Sequence, residues 1–181
     1  AVSGAYGLTI SGTGNMEING AIGTGTGALG KNGFGTLTLT GSNNYSGITY
    51  VNMGTVKLSG ASGAITGAGA VNIGYSTPSY RGAALILDNS SAVNNNRLHD
   101  TSTKTIYGST LELIGNDSAT VTETAGPISF NTGTSTVRAT GNGQTTTLAL
   151  GALTRAAGAT VVFEATNGGT ITKLPCNGNK I

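Results

Sequence analysis

The chain of 181 residues holds 9 basic and 7 acidic side chains, 31 glycines, no tryptophan and one cysteine. A formal charge of +2, with no basic stripe interleaved with aromatics, argues against a nucleic-acid partner, and the lone Cys176 excludes an internal disulfide or a multi-cysteine metal site. Leu, Ile, Val and Phe total 38 residues, close to the level at which chains stay disordered, but the small net charge removes the second condition for disorder. A fold with a thin core is expected.

Short alternations of apolar and polar residues supply the elements. The first clear strand is Gly33-Phe34-Gly35-Thr36-Leu37-Thr38-Leu39-Thr40-Gly41, with Leu37 and Leu39 inward and the threonines wet. It is answered by Gly54-Thr55-Val56-Lys57-Leu58-Ser59-Gly60, with Val56 and Leu58 inward. Val71 and Ile73 follow around an outward Asn72. The tracts 75–81 and 89–104 break the rhythm on either side of Leu85 and Leu87 and are expected as long loops. Leu111 and Leu113, Val137 and Ala139, Leu148 and Leu150, and Val161 and Phe163 complete the inward set, with Glu112 and Arg138 outward. Ile86 and Val162 break the polar-outward rule and mark a contact surface or a loop-covered face. Thirty threonines suit strands, and helix formers never gather at helical spacing, so no substantial helix is expected.

Glycine-led strands that recur as variants of one module predict a repeat protein, an all-β solenoid whose apolar faces are buried only by stacking. Gly35 and Gly54 are 19 residues apart, whereas Gly108, Gly133 and Gly158 follow at 25. About 22 residues per coil predicts roughly eight coils and a body about 40 Å long. Equivalence of the strands after Gly108 and Gly133 would pair Glu112 with Arg138 on the outer face. One domain, 1–181, is expected: regular repeats over 1–74, loop excursions over 75–104, looser coils over 105–174 and a tail over 175–181.

The chemical motifs favour no enzyme, cofactor or metal. Gly25-Thr26-Gly27-Ala28-Leu29-Gly30 has the glycine spacing of a dinucleotide loop, but no helix follows it. His99 stands alone beside Asp100 in a polar tract, with Ser90, Ser91 and Ser102 near only in sequence. Glu17, Asp88, Asp100, Glu112, Asp117, Glu123 and Glu164 are scattered singly and expected on solvated faces. Glu112 and Glu123 are the pair that neighbouring faces of one coil would bring toward a glycan, whose cleavage needs two acids. Ala1 opens no leader-like segment, and the longest apolar run, 83–87, is too short to be membrane-embedded, so the chain is expected to be a mature or truncated form or not exported.

The run Leu29-Gly30-Lys31-Asn32-Gly33-Phe34-Gly35-Thr36-Leu37-Thr38-Leu39-Thr40-Gly41-Ser42-Asn43-Asn44-Tyr45-Ser46-Gly47, continued by Thr49, Val51-Asn52, Gly54-Thr55-Val56 and Leu58, resembles the autotransporter-associated β-strand repeat. Residues 8–12, 18–20 and 22–23 are similar to that family's lead-in and 67–74 with 82–88 to its continuation, while its outer-membrane barrel has no counterpart within these 181 residues. The resemblance implies a right-handed parallel β-helix, extracellular or on a bacterial cell surface, acting as stalk, adhesin or scaffold. Within the motif, Asn43, Asn44 and Gly47 are expected at a left-handed corner, Tyr45 over the coil edge, and Asn52 and Asn72 in amide ladders. The alternatives are a fibre subunit that stacks on itself end to end, with Cys176 available for an intermolecular disulfide, and a β-helix that binds or cleaves polysaccharide. Host-surface or polysaccharide ligands are the other expected partners.

Overall fold

The computed structural model describes residues 1–75 and 82–173, so Cys176 and most of the 75–81 tract lie outside the described residues. Every strand pairing is parallel, and no helix occurs among the described residues. Leu8–Ile10, Leu29–Lys31, Thr49–Val51, Val71–Ile73, Lys104–Tyr107, Val121–Thr132, Thr146–Arg155 and Gly169–Lys173 form a first sheet of eight strands. Met16–Ile18, Thr36–Leu39, Thr55–Leu58, Ala84–Asp88, Thr110–Ile114, Thr134–Thr140 and Thr160–Thr166 form a second sheet of seven. A shorter third face pairs Val2–Ser3 with Ile22–Gly23 and Ser42–Asn43 with Ala64–Ile65, and a bridge from Ile65 to Leu98 extends it. The chain visits the sheets in turn, which makes it the expected β-solenoid.

Register counts the coils. Leu8, Leu29, Thr49, Val71, Lys104, Ile128 and Leu153 form one inward column. Met16, Leu37, Val56, Leu85, Leu111, Val137 and Phe163 form another. Six steps span each column, so the solenoid has about six turns where eight were expected, and at about 4.8 Å per step the body is about 29 Å long. The overcount comes from later coils that exceed the assumed mean, above all the step from Val71 to Lys104, which absorbs residues 89–103.

Alternation places the core as expected: Leu37, Leu39, Val56, Leu58, Val71, Ile73, Leu85, Leu87, Leu111, Leu113, Val137, Ala139, Leu148 and Leu150 are all buried. Each such side chain contributes about 1.5–3 kcal/mol, the main stabilising term. Val161 and Phe163 keep the inward register but not the burial. Phe163 stacks on Val137 and meets Phe130 edge-on, with centroids 6.2 Å apart, yet it is 46% exposed because no described coil covers it. Of the two exceptions on the outer side, Ile86 is half-buried between Lys57 and Glu112, whereas Val162 is exposed.

The corner entering the second sheet repeats in five successive coils. Gly54, Gly82, Gly108, Gly133 and Gly158 each precede a strand of that sheet with φ between +54° and +92°, a region only glycine occupies without strain. Gly33 and Gly35 are required for a different reason: a Cβ on either would lie 2.0 Å or less from the carbonyl oxygen of Gly12 or Gly14 in the coil beneath.

Residues 89–104 form no free loop. Asn89, Arg97 and Leu98 are fully buried, Ile65 N–H donates to the Arg97 carbonyl, and the segment thus supplies the third face of its coil. On the outer face the expected Glu112–Arg138 pair is present and extends one coil further. Arg138 lies 3.6 Å from Glu112 through Nη1 and 2.6 Å from Glu164 through Nε. Arg138 and Glu164 are more than a third exposed, so Arg138→Ala should lower the urea-denaturation stability by no more than about 1 kcal/mol, and by less in concentrated salt. A loss several times larger would show that the ladder holds the coils together.

Candidate functional site

The family-like motif builds coils. Gly33, Gly35 and Gly41 meet backbone of the preceding coil, Leu37 and Leu39 stack on Val56 and Leu58, and Val51 is buried beside them. The expected left-handed corner at Asn43, Asn44 and Gly47 is not formed: none of the three has positive φ. Asn43 points inward, fully buried, because its amide replaces backbone rungs; Oδ1 accepts from Ile22 N–H at 2.9 Å, and Nδ2 donates to the Gly41 and Ala64 carbonyls. Gly47 is glycine for want of room, since a Cβ would lie 2.3 Å from the Gly27 carbonyl oxygen. Tyr45 is inside the coil rather than over its edge, its hydroxyl bonded to Thr49 Oγ1 at 2.7 Å and its acidity suppressed by burial. Asn52 does join an amide ladder, but with Asn32, at 2.7 Å. Asn72 belongs to another column, between Tyr50 and Thr105.

A buried ionic cluster lies where the 89–104 segment closes its coil. Arg97 is fully buried and donates through Nε to Asn89 Oδ1, through Nη1 to the Gly63 carbonyl, and through Nη2 to the Gly60 and Ala92 carbonyls. Glu123 sits in the coil above with both carboxylate oxygens occupied, accepting Arg97 N–H and Leu98 N–H at 2.9 Å each. Lys104, also fully buried, donates to the His99 and Ser102 carbonyls. Burial pushes the Glu123 carboxyl up to about 7 against the pull of those backbone donors and of Arg97, and Asp100 adds to the rise. Burial brings Lys104 down to about 8, with Glu123 and Asp100 opposing.

Two carboxylates therefore depart from the solvated faces expected of all seven. Glu123 is interior, and Asp88 is buried, holding Lys57 at 3.2 Å and Ser90 through both its N–H and its hydroxyl. Glu112 faces outward against Arg138, so the structure does not bring Glu112 and Glu123 to a common groove. His99 lines a hollow of about 230 Å³ with Thr66, Asn96 and Asp100, and its Nδ1 lies 3.3 Å from Thr101 Oγ1. Ser90 is bonded to Asp88 and Ser102 to the His99 carbonyl, so neither hydroxyl is directed to the imidazole. Residues 25–30 run through a turn into a strand, with no helix to receive a phosphate.

The most distinctive outer surface, which sequence reasoning missed, lies on the first sheet. Gly30, Tyr50, Asn72 and Thr105 occupy one outward column in successive coils. At the strand ends beside it come Asn32, hydrogen-bonded to Asn52, and Gly74, packed against Tyr107. Two hollows meet at Tyr75. One of about 310 Å³ is lined by Asn32, Asn52, Met53 and Tyr75, and one of about 180 Å³ by Tyr50, Asn72, Gly74, Tyr75 and Tyr107. The signal available in the sequence was that Tyr50 and Tyr107 each follow an inward residue, but placing them on one face two coils apart requires the coil-to-coil register.

No protein-family model, curated protein or solved structure matches the chain.

Proposed function

We propose that this chain is a non-enzymatic β-helix displayed outside the cell or on a bacterial cell surface, a stalk or scaffold of the autotransporter-passenger kind. The observation that carries this reading is the continuity of the inward columns through six turns, which makes each coil the support of the next and the whole a stiff stack that further coils would lengthen. The family-like residues supply two consecutive layers of that rod, with Leu37 on Val56 and Leu39 on Leu58. Right-handed winding belongs to the same proposal, because crossovers between parallel strands take that hand in about 98% of cases. Protease treatment of intact source cells should remove the protein. A pool protected inside the cell would defeat the reading.

A second reading, a fibre subunit stacking end to end, is favoured by one observation. Phe163, Val161 and Ala165 continue the inward column on strands with no further described partner, and Phe163 is 46% exposed. Such an edge is a template for another copy. Electron micrographs of the purified chain would then show filaments, and a non-reducing gel would show whether Cys176 links them; monomer at high concentration would remove this reading.

A further inference from the structure

We propose that the two hollows meeting at Tyr75 are one binding cleft for an extended, uncharged oligosaccharide lying obliquely to the solenoid axis. Tyr50 and Tyr107 stand two coils apart, about 9.6 Å along the axis, and two residues apart along the strands, about 6.6 Å, with Asn72 and Gly74 in the coil between them. That separation is the scale of a disaccharide. Gly30, beside Tyr50, carries no side chain, so that ring has no outward neighbour in the coil beneath. A tyrosine ring offers an electron-rich face to the weakly positive C–H groups of a pyranose and a hydroxyl to its rim.

The polar groups fit the same ligand. Asn32, Asn52 and Asn72 each carry a donor and an acceptor on one amide, the pairing that vicinal hydroxyls satisfy. Asn52 Nδ2 donates to Asn32, which fixes the two amides against each other at the wall of the cleft. None of the described residues lining either hollow is charged. Phosphates require cations along their path and uronates require a counter-charge, so a neutral glycan fits better than a nucleic acid or an acidic polymer. The proposal stands independently of the stalk reading, since a rod of any cellular address can carry such a cleft.

The test is calorimetric titration of the full 181-residue chain with neutral hexasaccharides (cello-, chito-, laminari- and mannohexaose), with an oligothymidylate as the nucleic-acid probe. At least one sugar should bind with little dependence on salt. Tyr50→Ala and Tyr107→Ala should each weaken binding about tenfold, while Tyr50→Phe, which keeps the ring, should retain most of it. Tyr6→Ala, which removes an exposed ring outside the cleft, should change nothing. The proposal is overturned if none of the four sugars binds, or if the Tyr50→Ala/Tyr107→Ala double variant keeps its circular dichroism and its full affinity. It is equally overturned if only the oligothymidylate binds.

Discussion

Glu123→Ala is expected to cost the fold about 3–5 kcal/mol, most of a small domain's margin of stability. Three losses coincide. The N–H groups of Arg97 and Leu98 lose their acceptor inside the coil, where an unmet donor costs about 1–3 kcal/mol. Arg97, fully buried, loses the stronger of the two carboxylate charges that favour its ionised form and keeps that of Asp88. A gap also opens in the core beside Leu148, the partner of Glu123 in the next coil. Urea denaturation measures the sum; a loss below about 1 kcal/mol would mean that water or rearranged carbonyls replace the carboxylate. Glu123→Gln is the intermediate case, since its single amide oxygen keeps one of the two N–H groups while its NH2 faces the other and the charge disappears.

The same carboxylate gives the protein a characteristic pH profile. Glu123 titrates near 4.5 in an unfolded chain and at about 7 in the folded one, so between these values the folded state holds more protons and stability falls as pH rises. The fall amounts to about 3 kcal/mol if the whole shift is expressed. Lys104 acts in the opposite sense at higher pH. Its value drops from 10.5 to about 8 on folding, so the unfolded state holds more protons in that interval and stability rises again. A trough near pH 7–8 should appear in the unfolding free energy. Its acidic limb should flatten in Glu123→Gln, and a limb that survives the substitution would assign it to another group.

Period-two alternation made most of the wall legible in advance, because a one-residue slip would expose a whole column of leucine and valine. The same rule placed Glu112 against Arg138 without knowledge of the fold, since two glycine-led strands of equal phase fix their outward partners. Glu123 was misassigned by weighing residue type above phase. Val121 and Ala125 flank it at two-residue spacing and are both buried, so the alternation itself pointed inward, but an ionisable side chain is rarely interior without partners that sequence cannot display. Asn43 failed in the same way: Asn suits corners, and only the spatial arrangement reveals an amide standing in for backbone rungs. The Tyr50–Tyr107 cleft depends on coil lengths. These residues are 57 apart in sequence and come within two coils of each other only because residues 89–103 are absorbed within a single turn.

Leu111→Ala is expected to cost about 2–5 kcal/mol, and Phe163→Ala, in the same inward column, only about 1–2. Leu111 is fully buried with Leu85 in the coil on one side and Val137 on the other, so truncation leaves a cavity that neither neighbour can leave its own sheet to fill. Phe163 has Val137 and the edge of Phe130 on one side only, and nearly half its surface already meets water. The larger residue therefore yields the smaller loss. In a stack with only nearest-neighbour coupling, the Leu111 defect should also reduce hydrogen-exchange protection in the strands Ala84–Asp88 and Thr134–Thr140 before it reaches Thr36–Leu39. Equal costs at the two positions, or a uniform fall in protection along the rod, would show that the coils fold as one indivisible unit and that position in the column does not decide the energy.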